Sequence, residues 1–270
     1  RLTVDPVSSP LAADLTWTSS FPVHLEPHHF DAPAGRTMQD MTRYDQVGRW
    51  HGWIDYGEGR VEVDDWWGAR DHSWGVRPGV GGFEKSHGDP SMTADMPTAP
   101  RQAMLHVVLF AEAGETFLAL QYRENADGKR LALDGELVDR DGTRRRVGDL
   151  VLDIDFVAGS RAYRHVKFDV TLEDGTPLVV EAEPLLHAWA YSGTGYDGGY
   201  RDRRGLGAWR GTVAEYDVYE YVPPEQVLLD GSPVRPGHRE QPVTVSIDGE
   251  PGMGHCPIIT RGRLPRRGVG

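Results

Sequence analysis

The stretch GARDHSWGVR, residues 68–77, places Arg70, Asp71, His72 and Trp74 within five positions, bracketed by Gly68 and Gly75. A carboxyl or imidazole held beside a guanidinium and walled by aromatic rings can move a proton. Read as a strand, the stretch points Arg70, His72 and Trp74 to one face and Asp71 and Ser73 to the other. The acid and the imidazole then enter the same cavity only if a bulge intervenes. Two readings follow. In one, Asp71 or His72 is a general acid or base, held by Arg70 and walled by Trp66, Trp67 and Trp74. In the other, the same residues form a salt-bridge and hydrogen-bond network closing the end of a β body, because structural ion-pair networks use the same residue types. Both readings expect one face to line a cavity and the other to lock a contact between two bodies.

Hydration of a carbon–carbon double bond suits such a place. An alkene is weakly basic, so its protonation needs an acid kept neutral by burial. The cation that forms is stabilised by electron-rich ring faces, tryptophan best among them. Trp50, Trp53, Trp66, Trp67 and Trp74 crowd one short region. They fit a substrate pocket, a cup for a lipophile, or an ordinary β core equally well.

Two further clusters carry reactive side chains. EPHHFD offers Glu26, His28, His29 and Asp31. Adjacent histidines diverge on a strand, and no H-x-H, H-E-x-x-H or C-x-x-C spacing occurs, so no metal is expected. LLHAWAYSGTGYDGGY brings His187, Trp189 and Tyr191 beside a glycine-rich loop, a composition that can cover a barrel mouth and touch its ligand. GTGYDGG lacks phosphate-loop and dinucleotide spacing. No G-x-S-x-G elbow is present. No cofactor is expected.

The elements that must position these residues read as strands. Amphipathic helical periodicity is hard to find, whereas Asp127-Gly128, Asp141-Gly142, Asp174-Gly175 and Asp248-Gly249 are hairpin signals. The fold class is all-β. Strand candidates at 104–110, 116–123, 129–139, 143–157, 162–173, 176–185, 186–191 and 209–222 could close an antiparallel barrel around one small ligand. Residues 78–103, rich in Pro, Gly and Ser, read as a linker or covering loop. Before them stand only the candidates 1–4, 13–18, 48–56, 59–65 and 68–75, too few for a closed barrel. Residues 1–77 are therefore expected to be the later portion of a first barrel, completed by an upstream segment or a second chain, and residues 104–270 a second barrel with a C-terminal extension.

Composition narrows the partners. A net charge of -12 repels nucleic acid and anionic membrane. No apolar run approaches the span of a bilayer. A single cysteine, Cys256, excludes an intrachain disulfide and reads as an inert thiol. The expected location is cytoplasmic, and the expected partner is a hydrophobic small molecule.

LTW at 15–17, EPHHFD at 26–31, RYDQVGRWHGWI at 43–54, GARDHSWGVR at 68–77 and a second β unit opening at MLHVVLF resemble, in that order, the tandem-lipocalin family of hydroxyneurosporene synthase (carotenoid hydratases). The resemblance is to its bacterial branch carrying the R-D-H-S-W-G motif. It implies two consecutive lipocalin-like barrels, the first lacking its N-terminal strands here. It implies relatives acting on hydrophobic substrates by hydration or cyclisation, or binding lipophiles. The resulting expectation is a cofactor-free acid–base enzyme for an isoprenoid or other apolar molecule, with a lipophile carrier as the alternative. Asp71 and His72 are the expected catalytic residues. Trp50, Trp53, Trp66, Trp67, Arg70, Trp74, His187, Trp189 and Tyr191 are the expected substrate contacts.

Overall fold

The computed structural model describes residues 1–5, 10–32, 35, 37, 39–76, 103–186, 189–191, 211–212, 219–222, 226–229, 232–234 and 238–270. Among them helical geometry is confined to 3-10 turns, at Gly35 and at Pro265–Arg267. No helix among the described residues is long and apolar enough to cross a membrane.

The N-terminal body is a six-stranded antiparallel sheet. Its strands are β1 (Leu2–Val4), β2 (Ala12–Ser19), β3 (His24–Leu25), β4 (His29–Asp31), β5 (Gln39–Asp55) and β6 (Arg60–Val76). β5 is its spine: β2, β3 and β4 share one of its edges, and β6 pairs along the other. The sheet is open among the described residues. The separate candidates at 59–65 and 68–75 are one 17-residue strand. A register shift at Trp50/Gly52 opposite Asp65, whose φ is +56°, absorbs the irregularity as a bulge. Gly68 does not end the strand. A side chain there would meet the Trp50 indole at 2.7 Å, so glycine is what lets that ring lie flat on the backbone.

The second body is a closed eight-stranded antiparallel barrel. Its wall runs through β7 (Met104–Ala113), β8 (Thr116–Asn125), β9 (Arg130–Asp139), β10 (Arg144–Phe156), β11 (Tyr163–Leu172) and β12 (Pro177–Pro184). Short strands follow: β13 (Trp189–Tyr191), β14 (Tyr219–Val222), β15 (Gln226–Leu229), β16 (Ser232–Val234) and β17 (His238–Glu240). β18 (Pro242–Ile247) and β19 (Glu250–His255) complete the wall, and β20 (Ile258–Arg261) pairs beside them. β19 joins the C-terminal half of β7, while β20 takes its N-terminal half.

This corrects two of the eight sequence candidates. The described strands of 186–191 and 209–222, Trp189–Tyr191 and Tyr219–Val222, do not supply the last staves, and most of 209–222 lies outside the described residues. β13 pairs with β17, and β14 with β15, in small separate sheets. The staves come from 242–255, where Val243, Val245 and Ile247 alternate inward ahead of the Asp248-Gly249 turn. The four Asp-Gly turns behave as read, with Gly128, Gly142, Gly175 and Gly249 all at positive φ.

The barrel interior is filled by side chains such as Leu105, Leu118, Val166, Phe168 and Val180, all under 1% exposed. Each contributes roughly 1.5–3 kcal/mol of burial. One end is sealed by Leu264 and Val269. Beneath them Arg267 makes a bidentate pair with buried Glu124 at 2.7 Å, and Tyr122 donates to the same carboxylate at 2.8 Å. Cys256 is buried, and burial pushes its thiol up to about 12, which keeps it protonated and unreactive.

Candidate functional site

Alternation decides which residues of β5 and β6 meet the barrel. Met41, Arg43, Asp45, Val47 and Arg49 share a face with their cross-strand neighbours Ser73, Asp71, Ala69 and Trp67. That face lies on the outer surface of β7–β9. At one end the seam is apolar: Phe21 and Val47 pack with Phe110, Phe117, Ala119 and Val138, and Trp67 and Ala69 lean on them. A charged clamp borders it. Arg49 donates twice to buried Glu112, at 2.8 and 2.9 Å, and the Trp67 indole N–H donates to the same carboxylate at 3.0 Å.

The other end of the seam is polar and centres on Arg43. Glu26, 4% exposed, accepts from the Gln121 amide, lies 2.8 Å from His29 Nε2, and pairs with Arg43 at 3.4 Å. Arg43 also faces Asp71 at 3.4 Å. Asp45 is 1% exposed, and neither of its oxygens meets a donor among the described residues. Burial, then the neighbouring charges of Glu26 and Asp71, push its carboxyl up to about 9 against the opposing pull of Arg43. At neutral pH Asp45 therefore holds its proton, which is what makes its place beside Glu26 tolerable.

The barrel contributes His106 and Arg123, directly opposite each other on β7 and β8. Burial, then Arg123, press the His106 imidazole down to about 4, and Gln121 opposes only in part. It is neutral at physiological pH, with Nε2 buried and unpartnered. Nearby, buried His24 stands between Asp134 and Glu136, each at 3.2 Å. Burial would lower its pKa, but the two carboxylates outweigh burial and raise it.

The opposite face of the N-terminal sheet is aromatic. Tyr44, His72 and Trp74 form a triangle with ring centroids 5.2, 5.7 and 6.0 Å apart, and the Arg70 guanidinium lies 5.1 Å from the Tyr44 ring. Trp17 meets Trp50 edge-on at 4.9 Å. Trp66 and Trp74 are half exposed, at 47% and 50%.

The predicted residues are thus divided. Asp71 faces the seam and is half exposed, while His72 lies on the other side of the sheet. Trp50, Trp66, Arg70 and Trp74 share the aromatic face. Trp67 does not join them as a wall: it faces the barrel. Trp53 also lies across the sheet, under the Arg60 guanidinium at 4.2 Å. Trp189 and Tyr191 pair through their backbones with Glu240 and His238, and His187 lies outside the described residues. From EPHHFD, Glu26 and His29 enter the polar cluster, and His28 pairs with Asp40 at 2.9 Å. Among the described residues no group of three or more metal-type ligands gathers.

Sequence reasoning missed Arg43, Asp45, His106, Gln121 and Arg123. The signal lay in parity. M-x-R-x-D-x-V at 41–47 puts charges in register with buried apolar residues, and His106 interrupts the apolar run MLHVVLF.

Comparison with known proteins agrees with this architecture. A putative AttH from Nitrosomonas europaea shares 14% identity at a TM-score of 0.51, covering 96% of this chain and 64% of that one. Kievitone hydratase from Nectria haematococca shares 8% at a TM-score of 0.46, covering 93% and 62%. The chain thus spans less than two thirds of either protein, and its likeness to the putative AttH is one of fold. No curated protein matches the sequence. Residues 1–252 match the model of a family of unknown function, DUF8625, and the chain belongs to that family.

Proposed function

We propose that this protein is a cofactor-free acid–base enzyme acting on an apolar small molecule, with its chemistry in the seam around Arg43. One observation carries the reading: Asp45 and His106 both feel the Arg43 guanidinium and are both uncharged at neutral pH, burial having raised the carboxyl and lowered the imidazole. Groups whose environments drive their pKa values apart in this way are suited to serve as an acid and a base. Asp45 gives its proton to one carbon of a double bond, and the electron pair of that bond forms the new C–H bond. The cation then loses a neighbouring proton to His106 in an isomerisation, or takes up water whose proton passes to His106. Proton return from His106 to Asp45 restores the starting state. Asp71, half exposed beside Arg43, is the solvent-side member of the cluster. Incubation with apolar alkenes, isoprenoids among them, and detection of isomers or water adducts by mass spectrometry tests this. Turnover should vanish in Asp45→Asn and in His106→Gln. Turnover that survives Asp45→Asn would remove the reading.

A second reading rests on the aromatic face. Half-exposed Trp66 and Trp74, with Tyr44, His72 and Arg70, make a seat for a lipophile without turnover. A lipophilic fluorophore should brighten with the unaltered chain and lose that response in the Trp66→Ala, Trp74→Ala double variant. An unchanged response would place its binding elsewhere.

A further inference from the structure

We propose that Arg123, with Arg43 beside it, seats the carboxylate of an apolar acid in the seam between the two bodies. Arg123 is partly buried, yet among the described residues it has no hydrogen bond and no carboxylate within ion-pair distance. The foremost charge acting on it is another cation, Arg43, and only then Glu26. Glu26 is already engaged by Gln121, His29 and Arg43. A partly buried guanidinium without an anion is costly, and a ligand can supply what the chain does not.

The surroundings point the same way. His106, directly across from Arg123, keeps its unpartnered Nε2 for the proton transfer and leaves the anion to the guanidinium groups. Nε of Arg43, though near Asp71, makes no hydrogen bond. Arg261 stands opposite Met104 on the same outer face, one row along, and is among the charges felt by His106. A planar fork of donors matches a carboxylate. Glu26 and Asp71 beside Arg43 disfavour a doubly charged phosphate. Met41 and Met104 lie on the two faces next to Arg43 and His106, which favours an apolar body on the acid.

As a statement about substrate class this rests on the acid–base reading, but its test reads binding alone. Calorimetry on the full chain with octanoate, octanol and inorganic phosphate should show saturable binding of octanoate, with octanol and phosphate weaker by about tenfold or more. Arg123→Gln should weaken octanoate by a similar factor, and Arg123→Lys by less. The ligand-free Arg123→Gln chain should melt no lower than the unaltered one, since a cation without a partner is lost. Equal affinity for octanoate and octanol would overturn the proposal. So would octanoate binding unchanged in Arg123→Gln, or a ligand-free variant that melts well below the unaltered chain. If Arg123→Gln fails to fold, the guanidinium is structural and the proposal falls. A chain that binds octanoate through Arg123 and turns over no alkene keeps this site and loses only the acid–base reading.

Discussion

Asp45 and Asp71 stand opposite each other across β5 and β6, on one face of the sheet, yet Asp45 is sealed and Asp71 is half exposed. The same two side chains therefore share a field and differ in solvent. One keeps its proton and the other meets Arg43 at the rim.

The pH dependence of stability should carry the mark of Asp45. Its carboxyl rises from 3.8 to about 9 on folding, so the folded chain binds more protons than the unfolded one across that window. Stability from this group is complete below its unfolded pKa and falls as pH rises toward 9, by at most about 1.4 kcal/mol per pH unit. His106, pressed from 6.5 to about 4, works the other way, and stability from it is gained as pH rises over that interval. The two offset each other below about pH 6.5, and the net decline appears between there and pH 9. His24, shifted upward, adds to that decline. Asp45→Asn should remove most of the alkaline loss in thermal melts from pH 5 to 9. Parallel curves for the two chains would contradict the assignment.

Asp71→Asn should cost little stability, about 1 kcal/mol or less, because its pair with Arg43 is half exposed. A sealed ion pair would cost several times more. The same change removes a negative neighbour of Asp45 and should lower the Asp45 pKa. The carbonyl stretch of the protonated carboxyl, followed by infrared spectroscopy against pH, reads that shift. His72→Ala, on the other face, should leave it in place.

Glu112 holds the clamp of the seam. Glu112→Ala leaves Arg49 and the Trp67 N–H without their acceptor and should cost about 3–5 kcal/mol in urea denaturation. Glu112→Gln keeps an acceptor and should cost less. Equal losses would mean that packing, not charge, sets the contribution.

Gly252 sits where the barrel closes. A side chain there would lie 1.9 Å from the backbone oxygen of Glu112, on the neighbouring strand. Gly252→Ala should destabilise by about 3 kcal/mol or more, as the β19–β7 pairing is forced apart. Gly142→Ala meets nothing nearby but must hold φ at +93°, and should cost about 1 kcal/mol. A chemical denaturation series on both ranks them. The reverse order would show that β19 yields easily.

Strand type and turns were legible because Asp-Gly pairs and alternation act locally. Asp71 and His72 were assigned to opposite faces by the same local rule. The partner of the face was not legible. Nothing near Asp45 in sequence announces that Glu26, itself bonded to Gln121, lies beside it, since Glu26 arrives from the segment between β3 and β4 and Gln121 from β8. Val243, Val245 and Ile247 alternate plainly, yet 186–191 and 209–222 read as the last staves. Aromatic content raised β-propensity there, but which strand finds the open edge of β12 is settled by long-range pairing. The tryptophans misled in a related way. Five close in sequence read as contacts for one substrate, but simple parity sends Trp53 and Trp67 to the far side.

β7 shares one edge between β19 and β20, and this sets an order of events during synthesis. On a ribosome, β7, β8 and β9 emerge early and pair as a local meander. Their outer face can receive β5 and β6 at once, since those strands are already made. The remaining edge of β7 stays bare until residues 242–261 follow. The nascent chain thus carries an apolar, unpaired strand edge for most of the second body's translation, a state prone to wrong association. Closure joins Ala113 to Gly252, a distant contact that slows the final step. Refolding from denaturant should therefore show early burial of Trp67 in the seam and a later phase, sensitive to Gly252→Ala, in which the ring closes.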